Sequence, residues 1–308
     1  MNYIIIILYV VVGLLGLLPS RGQAQRPESG PEQASMPVVM PIVQWSHPLL
    51  REMRGWWKAL PGLAPGNVWI DLIQRNDAIF SGAYYTPTLG WVPLARQGGY
   101  MGLQFDGTGA FYVRVPHTAA HSFEKTDPFT MALWWKEKTG SGTTDLVTKQ
   151  VAAGNYPGWG LRVSGNAPLL QLNDDGTGVL QCYAPATAVI DDATWHHVTY
   201  RYDGSNSVGG MTVGVDGQMM ACGGTSGTSL AGSMASTGFM AFAASGWDGP
   251  GTMMNDFRMW GRALSDQEVA LVYQQSLLGD PALLSPPQGQ VVLAPVAGHP
   301  GAFFPWFR

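Results

Sequence analysis

The sequence predicts an all-β fold, a jelly-roll sandwich of two antiparallel sheets followed by one short C-terminal helix. Several runs alternate apolar and polar residues with the period of two that is typical of a half-buried strand. Turn residues such as Asp216-Gly217 separate these runs. The 308 residues include 40 glycines and 22 prolines but only 12% charged residues, a composition that suits short strands joined by tight turns.

The most regular pattern lies at residues 196–217, near the centre of the chain. One face of its first run carries His196, Val198, Tyr200 and Tyr202, and the other carries His197, Thr199 and Arg201. A second alternating run follows, and Asp216-Gly217 supplies a two-residue turn signal. We therefore predict an antiparallel β-meander here. Adjacent strand residues point to opposite faces, so we interpret His196 and His197 as structural and not as a metal-binding pair.

Strand signals recur on both sides of this centre. Residues 101–115 alternate on both sides of a Gly-rich turn and predict a hairpin, and the apolar run 128–136 predicts a central strand. Further strands are predicted at residues 55–58, near 79, and at 145–149, 159–163, 169–172, 179–183, 238–243 and 253–260. Ser265 and Glu268 form a capping-box pattern that begins a helix, and Gly279 ends it.

The segments outside the predicted sandwich differ in composition. Residues 1–24 are predicted as a secretory signal peptide or an N-terminal hydrophobic anchor, which would bind the membrane through residues 4–18. Residues 25–50 form a Pro-rich linker, and residues 51–278 form the jelly-roll domain. Residues 279–308 form a Pro/Gly-rich tail with an aromatic end. Its apolar character predicts docking on the sandwich itself or, as self-assembly, on another subunit.

The two cysteines, Cys182 and Cys222, lie in separate β-prone runs. They fit an exported protein with one disulfide, located in the extracellular space or at the cell surface. Such a bridge would close a loop of about 40 residues and contribute roughly 3–4 kcal/mol. The alternative is a pair of buried free thiols.

Six short motifs follow one another in a recognisable order. They are Gly55-Trp56-Trp57, Phe105-Asp106-Gly107, the run 129–134, the run 195–198 with Asp203-Gly204, Val215-Asp216-Gly217, and the run 256–268. Together they resemble the laminin-G-like, concanavalin A-like jelly-roll family, in its pentraxin-related branch, over residues 51–276. The resemblance implies two packed antiparallel sheets and an exported module that binds glycans or proteins.

The resemblance also implies structural Ca²⁺, held where an early loop meets the start of the last strand. The positions that match are Asp71, Asp106 and Asp256, of which Asp71 departs most from the family spacing. Calcium prefers several oxygen ligands on converging loops. The alternative is that Asp106 and Asp256 are turn residues whose carboxylates cap backbone amides.

Exposed aromatic side chains are candidates for sugar contact, because protein-bound sugars stack on aromatic faces. Tyr156, Tyr183 and Trp247 lie in or beside Gly-rich loops, where binding residues concentrate. We predict these three as ligand-binding residues. Trp159 lies in a similar position, but we predict that it packs in the core.

Catalysis and nucleic-acid binding find no support in the sequence. A retaining glycosidase needs two carboxyl groups about 5 Å apart, and no Glu-x-Asp-x-Glu pattern is present. The adjacent pairs Asp174-Asp175 and Asp191-Asp192 are interpreted as solvated loop residues. No nucleophile elbow, zinc-binding His-Glu-x-x-His or phosphate loop occurs. The net charge is −4, and no Lys/Arg cluster follows a groove, which argues against a nucleic-acid partner.

Three functions follow from these observations. The first is an exported, non-catalytic binding or adhesion module for glycan or protein at a cell surface or in a matrix. The second is a structural subunit of a surface or viral assembly, which binds its neighbours through N- and C-terminal arms. The third is a carbohydrate-active enzyme whose catalytic residues the motifs do not reveal.

Overall fold

A computed structural model describes residues 41–58, 68–81, 90–93, 101–105, 112–136, 143–151, 156–242 and 252–285. Within these ranges the chain forms β-strands, one α-helix and three short 3-10 helices, at Pro48–Leu50, Ala119–His121 and Val208–Gly210. The strands, in order, are β1 (Ile42–Val43), β2 (Met53–Trp57), β3 (Val68–Trp69), β4 (Ala78–Ser81), β5 (Gly90–Pro93), β6 (Met101–Gln104), β7 (Tyr112–Val115), β8 (Phe129–Lys136), β9 (Thr143–Gln150), β10 (Gly158–Ser164), β11 (Ala167–Asn173), β12 (Val179–Tyr183), β13 (His196–Tyr202), β14 (Met211–Val215), β15 (Gln218–Ala221), β16 (Gly224–Ser226), β17 (Met240–Phe242), β18 (Met253–Trp260) and β19 (Leu284–Ser285). The helix is α1 (Asp266–Leu277).

The strands form two antiparallel sheets and a separate ribbon. In the described residues, nine strands pair in the order β16-β12-β11-β10-β9-β17-β7-β4-β3. The other sheet has the order β15-β14-β13-β8-β18-β6-β5, and β2 also pairs with β18, which makes eight strands among the residues described. The ribbon pairs β1 with β19. This arrangement confirms the predicted all-β sandwich.

Apolar side chains form two separate clusters, one on each face of the eight-stranded sheet. The larger cluster lies between the sheets and includes Trp57, Trp135 and Trp159. The smaller cluster includes Trp56 and Trp260 and lies on the outer side of the sheet, under α1. Trp56 and Trp57 are adjacent in β2 and both are fully buried, because successive strand residues point to opposite faces.

The predicted capping box begins α1 as expected. The Ser265 hydroxyl accepts a hydrogen bond from the Glu268 amide at 3.2 Å, and the Glu268 carboxylate accepts one from the Ser265 amide at 2.8 Å. Val269 and Val272 form the buried stripe of the helix. Gly279, with φ of 84°, follows the end of the helix in the left-handed conformation that glycine adopts easily.

The predicted β-meander lies in the middle of the eight-stranded sheet. Strand β13 pairs with β14 on one side and with β8 on the other, so the apolar run in β8 is central, as predicted. Asp216 and Gly217 have φ values of 49° and 81°, the two positive angles of a type I′ turn. A side chain at Gly217 would also collide with the ring of Tyr273, at 2.9 Å.

The hairpin predicted over residues 101–115 is wrong. Strand β6 pairs with β5 and β18 in the eight-stranded sheet, whereas β7 pairs with β4 and β17 in the nine-stranded sheet. Both strands alternate because each buries one face against the opposite sheet. The alternation of apolar and polar residues indicates that one face of a strand is buried, but it does not indicate which strand pairs with it. The chain therefore crosses from one sheet to the other here.

Ordered structure also extends beyond the predicted domain limits of 51 and 278. In the ribbon, Ile42 pairs with Ser285 and Val43 with Leu284. Leu49 and Leu50, placed in the linker by composition, are buried in the outer cluster. Composition missed this segment because β1 is only two residues long and gains its partner from the far end of the chain.

Cys182 and Cys222 form a disulfide, with their Cα atoms 5.3 Å apart. Cys182 belongs to β12 in the nine-stranded sheet, and Cys222 directly follows β15 in the eight-stranded sheet. The bond therefore ties the two sheets together at one edge. The alternative of two free thiols is wrong.

A buried ion cluster joins three distant segments of the chain. Lys58 follows β2, Asp256 and Arg258 lie in β18, and Asp280 follows α1. The Lys58 Nζ atom lies 3.1 Å from Asp256 Oδ2 and 2.7 Å from Asp280 Oδ2. Arg258 Nη2 donates to both Asp280 oxygens, at 2.8 and 2.7 Å. The four side chains are no more than 2% exposed, so their charges are neutralised by one another and not by water.

The cluster shifts the pKa values of Asp256 and Arg258 in the directions that favour their charged forms. Burial opposes ionisation of Asp256, but the charges of Arg258 and Lys58 outweigh it and lower the pKa of this carboxyl far below its ordinary value. Burial also opposes the charge on Arg258, and the two aspartates raise its pKa. The guanidinium carbon of Arg258 lies 4.6 Å from the centre of the Trp56 ring, a cation–π contact.

Removing one member of this cluster should destabilise the fold strongly. We expect Asp280→Asn to lower the free energy of unfolding by about 3–5 kcal/mol, because it leaves an uncompensated positive charge in the interior. The matched control is Asp77→Asn, since Asp77 pairs with Arg75 at the surface. That change should cost only about 0–1 kcal/mol. Urea denaturation at pH 7 measures both, and equal losses would contradict a structural role for the cluster.

Candidate functional site

The outer face of the nine-stranded sheet carries a band of polar side chains across four neighbouring strands. We call this band the polar face, and it consists of Asp145 and Gln150 on β9, Arg162 on β10, Gln171 and Asn173 on β11, and Gln181 and Tyr183 on β12. The residues between them, such as Leu161, Leu172 and Leu180, point inward and are fully buried in the core. The period of two in each strand therefore builds the core on one side and the polar face on the other.

Strand register places these side chains side by side. Arg162 lies opposite Asp145, and Gln171 lies opposite Gln181. Gly158 lies between Gln150 and Asn173, and Gly160 lies between Thr148 and Gln171. Neighbouring strands are about 4.8 Å apart, so the band spans roughly 14 Å. Gly158 and Gly160 therefore leave β10 without outward side chains at these two positions.

Arg162 is the centre of the polar face. Its Nη1 donates to Gln171 Oε1 at 2.7 Å, and its Nη2 donates to Gln150 Oε1 at 3.4 Å. Its Nε lies 2.6 Å from Asp145 Oδ1, so the positive charge has a carboxylate partner. A Cβ atom at Gly160 would lie 3.3 Å from Arg162 Nε, which indicates that the arginine side chain folds back over this glycine. Burial raises the pKa of Asp145, and Arg162 opposes that shift.

A chain of hydrogen bonds leads from the middle of the polar face to Tyr183. Gln181 Nε2 donates to Gln171 Oε1 at 2.9 Å, and Gln171 Nε2 donates to Asn173 Oδ1 at 2.8 Å. The Tyr183 hydroxyl donates to Gln181 Oε1 at 3.0 Å. Gln171 and Asn173 are buried, whereas Gln181 and Tyr183 are half-buried and reachable from solvent. The network therefore fixes the orientation of groups that a ligand can contact.

Two of the three predicted ligand-binding residues belong to this sheet. Tyr183 is part of the polar face, and Tyr156 precedes β10 in the turn from β9 and is 54% exposed. Tyr156 also has a φ of 57°, which is unusual for a large side chain. Trp247 lies outside the described residues. Trp159 is buried in the core, as predicted.

Sequence reasoning missed Arg162, Gln171 and Gln181. All three lie at alternate positions in strands that were predicted correctly, so a signal was present: a polar residue on the outward side of three consecutive strands. These three side chains come into contact only because of the register between the strands, and the local sequence does not determine that register. The aromatic residues were found because their type alone suggests a role.

The carboxylate of Asp71 is occupied by backbone amides. Its Oδ1 accepts hydrogen bonds from Trp56 at 2.9 Å and Ile73 at 3.0 Å, and its Oδ2 accepts from Gln74 and Asn76, each at 3.2 Å. Burial raises its pKa more than these bonds lower it. Four donors fill the sites that a metal ion would use, so this carboxylate does not fit calcium.

Asp256 has cationic partners instead of a metal. Lys58 and Arg258 neutralise it, and the Trp56 indole donates to its Oδ1 at 2.6 Å. It is also not the amide-capping turn residue of the alternative interpretation. In the described ranges, no group of three or more His, Cys, Asp or Glu side chains converges as metal ligands would. Asp106 lies outside those ranges, so calcium binding there stays a prediction.

The two adjacent histidines lie on opposite faces of β13, as predicted. His197 is buried against Trp134 and Tyr273, and burial followed by the charge of Arg258 lowers its pKa to about 4. His196 is half-buried and pairs with Asp216 at 2.9 Å and with Asp192 at 3.2 Å. The hydrogen bond that its Nδ1 donates to the Asp216 carboxylate is the main cause of its raised pKa.

The interpretation of Asp174 as a solvated loop residue is wrong. It is fully buried, and its carboxylate accepts hydrogen bonds from the amides of Gly176, Gly178, Ala231 and Gly232, at 2.7 to 3.0 Å. Burial opposes its ionisation, but these amides lower its pKa. Asp174 thereby clamps the turn between β11 and β12, beside the polar face. Asp175 and Asp192 are exposed, as expected.

Comparison with known proteins identifies the family. A laminin G-like family model, described as concanavalin A-like lectin/glucanases superfamily, matches residues 105–270, more than half of the chain. The chain therefore belongs to this superfamily. The pentraxin-related branch stays a prediction. Among curated proteins, no sequence matches.

Solved structures with the same fold include binding domains of toxins. The binding domain of Paraclostridial Mosquitocidal Protein 1 aligns with a TM-score of 0.57 and 12% identity, covering 74% of this chain and 53% of that one. The binding domain of botulinum neurotoxin serotype G gives 0.53 and 12%, covering 73% and 51%. That of botulinum neurotoxin DC, in complex with rat synaptotagmin II, gives 0.51 and 13%, covering 74% and 52%. The chain thus spans about half the length of these domains, and the likeness concerns the fold alone.

The helical part of the described structure is small. In the ranges that the structure describes, no helix is both long enough and apolar enough to cross a membrane. Residues 4–18, the predicted membrane-binding part, lie outside these ranges.

The His196 site should make stability depend on pH. Its pKa is raised above the ordinary 6.5 in the folded state, so the stabilisation is complete below about pH 6 and is lost as pH rises through the folded pKa. We expect His196→Gln to be less stable than the wild type at pH 5.5, and the difference to shrink by pH 9. Urea denaturation across this range measures it.

Asp192→Asn is the matched variant for this prediction. It removes one of the two carboxylates and should lower the pKa of His196, as followed by the NMR titration of the ring. A stability difference between wild type and His196→Gln that stays constant from pH 5.5 to 9 would rule out the charged pair.

Proposed function

We propose that this chain is an exported, non-catalytic binding module that recognises a glycan through the polar face. The observation that carries the proposal is the hydrogen-bonded band from Asp145 to Tyr183, which lies across four strands beside the exposed Tyr156. Membership in a superfamily of lectins and glucanases agrees with this ligand class.

The chemistry of the polar face suits sugar hydroxyls. Each hydroxyl both donates and accepts a hydrogen bond, and the amides of Gln171, Asn173 and Gln181 also do both. Tyr183 and Tyr156 add apolar ring surface on which the C–H side of a sugar can pack. Since Asp145 neutralises Arg162, the face suits an uncharged glycan. The groups are held by their neighbours, which limits the entropy lost on binding.

The arrangement of carboxylates supports binding without hydrolysis. Glycoside hydrolysis needs two carboxyl groups, about 5 Å apart in retaining enzymes and about 6.5–9.5 Å apart in inverting ones. On the described parts of β9 to β12, Asp145 is the one carboxylate of the polar face, and it is paired with Arg162. A carbohydrate-active enzyme would therefore need a partner acid from outside this band.

Export to the cell surface or the extracellular space is part of the proposal. The disulfide between Cys182 and Cys222 supports it, because such bonds persist in oxidising compartments. The apolar segment at residues 4–18 supports it as well, either as a signal peptide or as an anchor. A protein ligand is the second candidate for the same face, since the botulinum neurotoxin DC domain binds rat synaptotagmin II in its solved structure.

A glycan array with the folded domain tests the proposal. We expect Tyr183→Ala and Gln181→Ala each to weaken binding of the best glycan about tenfold, or roughly 1.4 kcal/mol each, because each loses a hydrogen bond and the first also loses ring contact. The matched control is Trp45→Ala, which removes an aromatic ring that is 61% exposed but lies in a different part of the fold.

The array is repeated with a chelator, which tests the proposed calcium site at Asp106. Loss of binding in the chelator arm supports calcium there. No binding to any glycan, with or without added calcium, contradicts the glycan proposal. Binding that Tyr183→Ala and Trp45→Ala weaken equally contradicts the assignment of the polar face.

Assembly is the other candidate function, and the ribbon is the observation that favours it. Strands β1 and β19 pair, so Ile42 and Ser285, next to the two outer limits of the described chain, lie side by side. Ile42 and Trp45 beside them are 45% and 61% exposed. Two arms from a single point could together engage a neighbouring subunit.

Light scattering after size exclusion tests this second function. If the arms assemble the protein, deletion of residues 286–308 should convert an oligomer to a monomer, and Trp45→Ala should weaken the oligomer. The control is Phe239→Ala, which removes a ring that is 42% exposed on the opposite sheet. A full-length chain that is monomeric at all concentrations would exclude assembly through the arms.

A further inference from the structure

Near the end of strand β9 lies a buried lysine that has no acidic partner among the residues that the structure describes. Lys149, near the end of β9, is fully buried. Its Nζ lies 2.6 Å from the carbonyl oxygen of Gly238 and 3.1 Å from His117 Nδ1. Neither partner carries negative charge. Lysine is almost never fully buried unless it is paired, because an uncompensated charge is costly to remove from water.

A second buried basic side chain lies nearby. His121, in the 3-10 helix Ala119–His121, is fully buried, and within the described residues neither of its ring nitrogens makes a hydrogen bond of good geometry, although a contact with the Arg54 backbone acts to raise its pKa. Its ring packs edge-on against Trp57, at 5.4 Å between centres. The hydroxyl of Thr118, three residues earlier in the chain, is also buried and has no hydrogen-bond partner among the described residues. These are donors and acceptors for which the described chain supplies no match.

Among the described residues, the titratable groups whose charges act on His121 are all basic. They are Lys149 from β9, Arg54 from β2 and His117 from the segment after β7. Arg54 Nη1 donates to the carbonyl oxygen of Ala120, one residue before His121, at 3.2 Å. In the described residues, none of these four side chains has a carboxylate among its contacts. Four segments of the chain thus bring basic side chains together, and the described residues supply no carboxylate to balance them.

Burial and these charges shift both central pKa values downward. Burial lowers the pKa of Lys149 to about 8. Burial, then the charge of Lys149, lowers the pKa of His121 to about 4. At neutral pH the lysine is therefore mostly charged and the imidazole is neutral. An anion placed between them would reverse both shifts.

We propose that Lys149, His121 and His117 form a binding site for an oxyanion, the carboxylate or sulfate group of a small ligand. Of the three donors of the Lys149 ammonium, the carbonyl oxygen of Gly238 uses one and the others are available to the oxyanion; each neutral imidazole has one N–H donor, and the Thr118 hydroxyl adds another. His117 is exposed, so movement of this one side chain opens a way to Lys149. The oxyanion then lies between the ammonium and the His117 ring, which stays in contact with it.

This site is separate from the polar face. Lys149 and Gln150 are neighbours in β9 and point to opposite sides of the sheet, because Lys149 pairs with the core residue Trp159 and Gln150 with Gly158. The inference therefore holds whether or not the polar face binds a glycan.

NMR titration of the six histidine rings tests the site, with sodium sulfate and sodium acetate as probes and sodium chloride keeping ionic strength constant. We expect saturable shifts of the His117 and His121 signals, and a rise in the pKa of His121. Lys149→Met replaces the charged side chain with an apolar one of similar length. This variant should bind the anion at least tenfold more weakly. Arg75→Gln, which removes an exposed charge elsewhere, should bind as the wild type does.

The source of the oxyanion is tested with glucuronate and glucose 6-sulfate, with glucose as the uncharged control. Tighter binding of the charged sugars than of the free ions indicates a ligand carried on a sugar, and equal binding indicates a free anion; both support the site. Shifts that do not saturate, or that are equal in the wild type and Lys149→Met, overturn it. If Lys149→Met does not fold, an unchanged His121 pKa in the wild type with and without sulfate overturns it as well.

Discussion

The fold depends on one set of buried charges that must neutralise each other. Lys58, Asp256, Arg258 and Asp280 come from segments that are up to 222 residues apart, and none reaches water. A buried ion without its partners destabilises the fold strongly, so all of these segments must be packed together in the folded state. This constraint holds β2 against β18 and fixes the turn that leads from α1 to β19. It also explains why the outer cluster under α1 encloses residues from both ends of the described chain.

The same alternation that builds the core also builds the polar face. In β10, Trp159 and Leu161 fill the interior, while Gly160 and Arg162 face outward. A single strand therefore cannot shift its register without exposing core residues and scattering the polar side chains. The rigid sandwich thus preorganises the amides that the proposed ligand would contact. Nearby, Asp174 fixes the turn between β11 and β12 with four amide hydrogen bonds, so the edge of this face is also held.

Local signals in the sequence were sufficient for the local structure. The Asp216-Gly217 turn, the capping box at Ser265 and the central strand β8 depend on residues close in sequence, and all are confirmed. Partners distant in sequence were not predictable in this way. The placement of β6 and β7 in different sheets and the pairing of β1 with β19 depend on the tertiary fold. The same holds for the candidate site. Tyr183 was predicted from its residue type, whereas Arg162 and Gln171 can be recognised as site residues only once the neighbouring strands are known.

The ribbon of β1 and β19 determines how the protein would respond to tension. Because the strands are antiparallel, the chain enters at Ile42 and leaves at Ser285 on the same side. A pull between the two flanking segments would therefore open the ribbon one hydrogen bond at a time, instead of shearing several bonds at once. The ribbon would yield at low force, while the sandwich behind it stays closed. A protein fixed at one end and loaded at the other would thus gain length before its two sheets separated.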